Sequence, residues 1–193
     1  MNNTLHAPDS TSPTKIPPGS PTSPSGKSLK RQEFISFVTA SLLGVLFHFV
    51  YDWSGQNATV GLFFPVNEST WEHLKLAFFP ILLVSFAEYY IGGFPNICFA
   101  CIKLQSALLA MATIVILFYT YTGILGKSVD WVNIAVYIVS MAIAYLYSYQ
   151  KLSTGNVTCN SSRCIIGATV LIILFMVFSV YPPDIGLFRS PTP

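Results

Sequence analysis

Pro65-Val66-Asn67-Glu68-Ser69-Thr70-Trp71-Glu72-His73-Leu74-Lys75 is the densest run of polar chemistry in an otherwise apolar chain. Ser69 followed three positions later by Glu72 fits a capping box. In that motif the serine hydroxyl accepts from the backbone N–H of the glutamate, and the carboxylate reaches back to the N–H of the serine. The run therefore marks the start of a helix. Its continuation to residue 91 is apolar and long enough to enter a bilayer.

The rest of the chain supports a membrane setting. Of 193 residues only 9% are charged and 52% are hydrophobic, against about 25% charged in soluble domains. Mean hydropathy is +0.58. The formal net charge of +2 is too small to attract nucleic acid, and no glycine-rich phosphate loop is present. The fold class expected is all-α: a polytopic transmembrane helical bundle of about five spans behind a disordered Pro/Ser/Thr-rich N-terminal tail. The bilayer is its first partner.

The tail covers residues 1–31 and the helical domain residues 32–189. Pro8, Pro13, Pro17, Pro18, Pro21 and Pro24 stand among Ser, Thr and Gly, a composition that buries too little apolar surface to order a backbone. Ser12-Pro13, Ser20-Pro21 and Ser23-Pro24 are candidate phosphorylation steps in a solvated tail. The first apolar run begins near Phe34, too far in and too long for a secretory signal. The expected spans are residues 33–53, 70–91, 97–121, 128–150 and 164–181. Pro80 lies inside the second and is expected to kink it. Pro182-Pro183 ends the fifth.

Orientation follows from Lys and Arg near span ends. With the N-terminus cytoplasmic, the inner side holds Lys27, Lys30, Arg31, Lys151 and Arg163, with Lys103 near it. The outer side holds Lys127 and Arg189, with Lys75 near its surface, where it can snorkel. The sequons at Asn57 and Asn67 then face outward, and those at Asn156 and Asn160 inward.

Most of the unusual polar residues fall toward the outer face, and ionisable groups at membrane depth are functional candidates. The candidate ligand-binding residues are His48, Asp52, Asn67, Glu68, Glu72 and His73. His48 and Asp52 are four apart and share a helix face. A carboxylate there would hold the imidazole tautomer. Asp130 and Asn133 open the fourth span on the same side, and Asp184 follows the fifth. Such a set can bind a small ligand or cation, or a divalent metal that activates water at Glu68 or Glu72. It can equally be structural, with Glu72 explained by its cap and by the helix dipole. No recognised metal spacing such as His-Glu-x-x-His is present. The readings in play are binding or translocation of a small ligand or cation, a metal-dependent hydrolase or transferase acting on a lipid-like substrate, and an accessory subunit beside a partner membrane protein.

The four cysteines form Cys98-x-x-Cys101 and Cys159-x4-Cys164. Both pairs fall on the inner side of this topology. Packing of small buried residues is the expected role, with one zinc or redox pairing as the other readings. With the topology inverted, disulfides become possible.

The motifs also carry a resemblance. Leu46-Phe47-His48-Phe49-Val50-Tyr51-Asp52-Trp53-Ser54-Gly55, followed by the Val66-to-Lys75 run, resembles a family of small, uncharacterised multi-pass membrane proteins. The family hallmark is Val-Asn-Glu-Ser-x-Trp-Glu-His-Leu-Lys, preceded by His-Phe-x-Tyr-Glu-Trp-Ser-Gly. Asp52 stands where the hallmark has Glu. Tyr119 to Gly126 and Tyr181-Pro182-Pro183 also look like family features, so the resemblance covers about residues 33–189. It implies an α-helical membrane protein of unknown biochemical activity.

Overall fold

The computed structural model describes residues 26–91, 97–154 and 159–190. Residues 1–25 of the expected tail, with its Ser-Pro steps, and the Asn156 sequon lie outside the described residues, whereas residues 26–31, expected as tail, belong to the first helix. Six helices follow in order: α1 Gly26–Trp53, α2 Ala58–Gly61, α3 Thr70–Ile91, α4 Ile97–Leu125, α5 Asp130–Thr154 and α6 Ser161–Val180. A short 3-10 turn, Gly186–Phe188, closes the described chain. All except α2 are long and apolar enough to cross a membrane. Even the shorter spans, at about 1.5 Å rise per residue, match a hydrocarbon layer of about 30 Å. The protein is an all-helical, multi-pass membrane protein.

Helix α1 starts earlier than composition suggests. Residues 27–32 combine good helix formers with a polar face, so the helix extends back past Glu33. Leu29 turns inward while Lys27, Lys30 and Arg31 stay exposed. Helix α6 also begins early, at Ser161, because the Asn160 side chain caps it by accepting from the Arg163 N–H at 3.2 Å.

The helices α1, α3, α4 and α5 form a closed ring: α1 packs on α3, α3 on α4, α4 on α5, and α5 back on α1. Helix α6 lies outside the ring against α4 and touches α3. Small residues set the close approaches. Ala40, Ala77, Ala107, Ala110 and Ala144 are fully buried along the seams, as expected where helices meet in lipid. Gly44 is the tightest: a Cβ there would collide with the Tyr137 hydroxyl and the Leu76 carbonyl.

That contact also resolves the proline. Pro80 has no N–H, so the carbonyl of Leu76, four residues earlier, loses its helical donor. Helix α3 nevertheless runs on through Pro80. The Tyr137 hydroxyl, from α5, lies 3.3 Å from the Leu76 carbonyl and 3.2 Å from the Ser41 carbonyl of α1. One phenol thus ties together three helices where the backbone bond is missing.

The cysteines depart from the packing role expected of them. Cys98 is bonded to Cys159 and Cys101 to Cys164. The thiols that would have held zinc are consumed. The physical reason is placement: the start of α4 and the start of α6 lie side by side, and Cα atoms 5.4 and 5.3 Å apart are within disulfide reach.

Candidate functional site

The loop before α3 folds as a half-formed capping box. The Ser69 hydroxyl accepts from the Glu72 N–H at 3.4 Å. The reciprocal arm is different: the Ser69 N–H donates to Asn67 Oδ1 at 2.9 Å. Asn67 therefore takes the role expected of the Glu72 carboxylate, and Glu72 is free to turn inward.

Glu72 is 2% exposed and Lys75 is fully buried. Lys75 does not snorkel. Its ammonium has three donors, and it meets Glu72 Oε2 at 2.7 Å, the Gly61 carbonyl at 2.9 Å and the Phe64 carbonyl at 3.3 Å. Glu72 Oε2 also accepts from the Val66 N–H at 3.0 Å, and Oε1 accepts from the Ser179 hydroxyl of α6 at 2.9 Å. This pair fastens the α2 loop, α3 and α6 together. Beside it Trp71 packs against Phe175, Phe178 and Phe188, with ring centroids 4.8, 5.4 and 4.9 Å away. Glu72 is thus engaged in a buried pair, apart from the residues that line the pocket beside His48.

Three other candidates converge. His48 from α1, Glu68 from the loop and His73 from α3 bring their ligand atoms within 4.8 Å of one another. His73 Nε2 is 3.3 Å from Glu68 Oε2, and His48 Nε2 is 3.8 Å from Glu68 Oε1. The two rings lie 5.5 Å apart, centroid to centroid. The other nitrogen of His73, Nδ1, lies 3.0 Å from the Ser69 carbonyl. A carbonyl can only accept, so Nδ1 carries the hydrogen, and in neutral His73 the Nε2 lone pair faces Glu68. Two electron-rich atoms at 3.3 Å call for a cation between them, either a proton or a metal ion.

Glu68 is 66% exposed on its side chain. The hydrogen bond from His73 and the charges of His73 and His48 nonetheless hold its carboxyl below the usual range, against the opposing effect of partial burial. Asp52 does not reach His48; the carboxylate beside that ring is Glu68. Asp52 and Asn67 instead help wall a shallow pocket of about 130 Å³ together with His48, Tyr51, Pro65 and Glu68. A wider depression of about 270 Å³ lies near Lys127 and Arg189. It is larger but chemically poorer, because Arg189 is taken by Asp184 at 2.6 Å. Asn133 is bound to the Tyr121 hydroxyl and donates to the Ser128 hydroxyl at 3.0 Å, so it fastens the α4–α5 connection and stands outside the cluster.

A second polar centre, at the opposite end of the ring, was not singled out from the sequence. Lys103, 1% exposed, lies 2.7 Å from Glu33 Oε1 and 3.0 Å from Glu88 Oε2. The signal was present: three lone charges in three apolar segments, all toward one face.

The fold is that of a multi-pass α-helical membrane protein, with a partly exposed His–Glu–His cluster at one end of its bundle. Residues 25–192 match a family of unknown function, DUF6512, and the chain belongs to that family. No curated protein and no solved structure matches it.

Proposed function

We propose that this protein binds a divalent cation of borderline hardness, such as zinc, through His48, Glu68 and His73 at one membrane face. The observation that carries the reading is the pinned His73 ring, whose Nδ1 is held by the Ser69 carbonyl while Nε2 faces Glu68 at 3.3 Å. Such an outer hydrogen bond is how metal-ligating histidines are oriented. Ligands about 2.1 Å from a tetrahedral zinc lie roughly 3.4 Å apart, close to the separations at Glu68. Two imidazoles and one carboxylate leave a position open toward the pocket walled by Asp52 and Asn67, where a small ligand can complete the shell. Binding or passage of the cation is favoured over hydrolysis, because Glu72, the buried candidate base, is committed to Lys75.

The test is zinc content of the folded, detergent-purified chain, with zinc alone as probe. About one zinc per chain is expected, lost in His73→Ala and in Glu68→Gln and kept in Asp52→Asn. A folded protein that takes up no zinc, or one whose zinc survives both substitutions, overturns the reading. In either case an imidazolium–carboxylate pair accounts for the geometry.

The orientation proposed keeps the N-terminus cytoplasmic. Lys75 and Lys103 are consumed in buried ion pairs and drop out of the surface balance. Lys27, Lys30, Arg31, Lys151 and Arg163 at one end still outweigh Lys127 and Arg189 at the other. The two disulfides pull the other way, since disulfides persist mainly in oxidising compartments and these lie at the N-terminal end. Single Lys127→Cys and Lys151→Cys variants in a background with all native cysteines changed to serine decide between the rules. A membrane-impermeant maleimide added to intact cells should label only the first. Labelling of only the second reverses the orientation.

A further inference from the structure

The centre at the other end of the ring has an unbalanced charge. Glu33 comes from α1, Glu88 from α3 and Lys103 from α4, and their side chains are 4%, 7% and 1% exposed. Two carboxylates face one ammonium. Glu88 Oε1 accepts from the Ser36 hydroxyl at 2.6 Å, and Glu33 Oε1 accepts from Lys103. Lys103 also lies over the rings of Phe99 and Tyr145, 5.2 and 5.0 Å from their centroids, contacts that favour its charged form.

The remaining atoms do not close the network. Glu33 Oε2 is buried without a hydrogen-bond partner, and so is the hydroxyl of Tyr145. Glu88 Oε2 is near the ammonium but poorly aligned with it, and gains no hydrogen bond. Tyr145, from α5, places its ring 5.0 Å from the same ammonium, and the fully buried Ser148, its hydroxyl also without a partner, lies beside Glu33. Helix α6, outside the ring, contributes none of these groups. The centre therefore carries one buried negative charge more than its ammonium balances. A proton on Glu33 Oε2 converts that acceptor into a donor and cancels the excess charge. Leaving one uncompensated charge among packed helices is costly.

We propose that Glu33, Glu88 and Lys103 form a proton-binding site, loaded with one exchangeable proton shared between the two carboxyl groups in the folded protein. Ser148 is the neighbouring group to which a protonated Glu33 can donate. This site is separate from the His48–Glu68–His73 cluster, and neither proposal depends on the other.

The test is infrared spectroscopy of the full-length protein in a sodium-free, potassium-free buffer, titrated upward from neutral pH. A free glutamate side chain, with a pKa of about 4.3, is ionised there. The expected result is a carboxylic-acid carbonyl band at neutral pH that shifts in deuterated water and disappears at higher pH. Glu33→Gln and Glu88→Gln should each abolish it, because one carboxylate then balances one ammonium. Lys103→Met should roughly double it, and if that variant does not fold the two glutamine variants carry the test. A folded wild type without the band overturns the proposal. So does a band that survives both glutamine variants. Loss of the wild-type band on adding sodium at constant pH supports the proposal, because the cation then displaces a proton that the same carboxyl groups held.

Discussion

The molecule buries two lysines, one at each end of its helical ring, and treats them differently. Lys75 meets one carboxylate and two backbone carbonyls, so every ammonium hydrogen has an acceptor and the charges cancel. Lys103 meets two carboxylates, leaves an oxygen of one without a partner, and faces an unpartnered phenol. Burial is equal; stoichiometry is not. A buried charge is therefore poor grounds for function until its partners have been counted. Counting makes the Lys75 centre a clasp and gives the Lys103 centre capacity for one more cation.

The largest expected effect tests the clasp. Lys75→Met strands the Glu72 carboxylate and should destabilise by about 3–5 kcal/mol, the usual result of breaking a buried pair. Adding Glu72→Gln should recover part of that loss in a double-mutant cycle of detergent or thermal unfolding. The contrast is sharpest at the other centre, where Glu33→Gln or Glu88→Gln balances the ammonium without the extra proton and should leave stability at neutral pH unchanged or higher. Equal losses at both ends would mean that the two centres do not differ.

The disulfides come next. They span 61 and 63 residues and close nearly the same loop, so either one supplies most of the constraint. Removing one pair should cost little. Removing both should cost about 2–4 kcal/mol, read as thermal midpoints of single-pair and four-Cys→Ser variants. Gly44→Ala forces the Tyr137 hydroxyl away from the carbonyl left open by Pro80 and should cost about 1–3 kcal/mol. Tyr137→Phe, which keeps the ring and drops the hydroxyl, should cost about 1 kcal/mol.

The smallest effect belongs to Glu68. Its folded carboxyl titrates below the ordinary range, so whatever stability it contributes is complete above that range and is lost as pH falls through the folded value. The group is mostly exposed, and Glu68→Gln should cost only a fraction of a kcal/mol in metal-free protein, as exposed ion pairs do. A loss as large as that of Lys75→Met would make Glu68 part of the fold's support.

The same contrast explains what could be read in advance. The spans were legible because each is a continuous apolar run, which bilayer thickness sorts by length alone. The start of α3 was legible at Ser69, since a cap is local. The fate of Glu72 was not. Its carboxylate turns toward Lys75, three residues on, and toward Ser179, 107 residues away, and no local rule ranks those partners above its own helix end. His48 and Glu68 meet only because α1 and α3 pack side by side, so the in-helix partner Asp52 was the natural choice and the wrong one. The Lys103 centre joins residues 70 positions apart, and only pairing the span ends by membrane face would have exposed it. The hydropathy pattern places all four cysteines on one face, but placement on a face does not say which pairs touch.

The cystines have one further consequence. Between Cys98 and Cys159 the chain is a closed covalent ring, and a ring tolerates one cut without losing a piece. Lys127 stands exposed in the connection between α4 and α5, inside that ring. A protease that cleaves after it leaves residues 1–127 and 128–193 as one molecule until a reductant is added. Helix order along the backbone and integrity of the bundle thereby become separable properties of the protein.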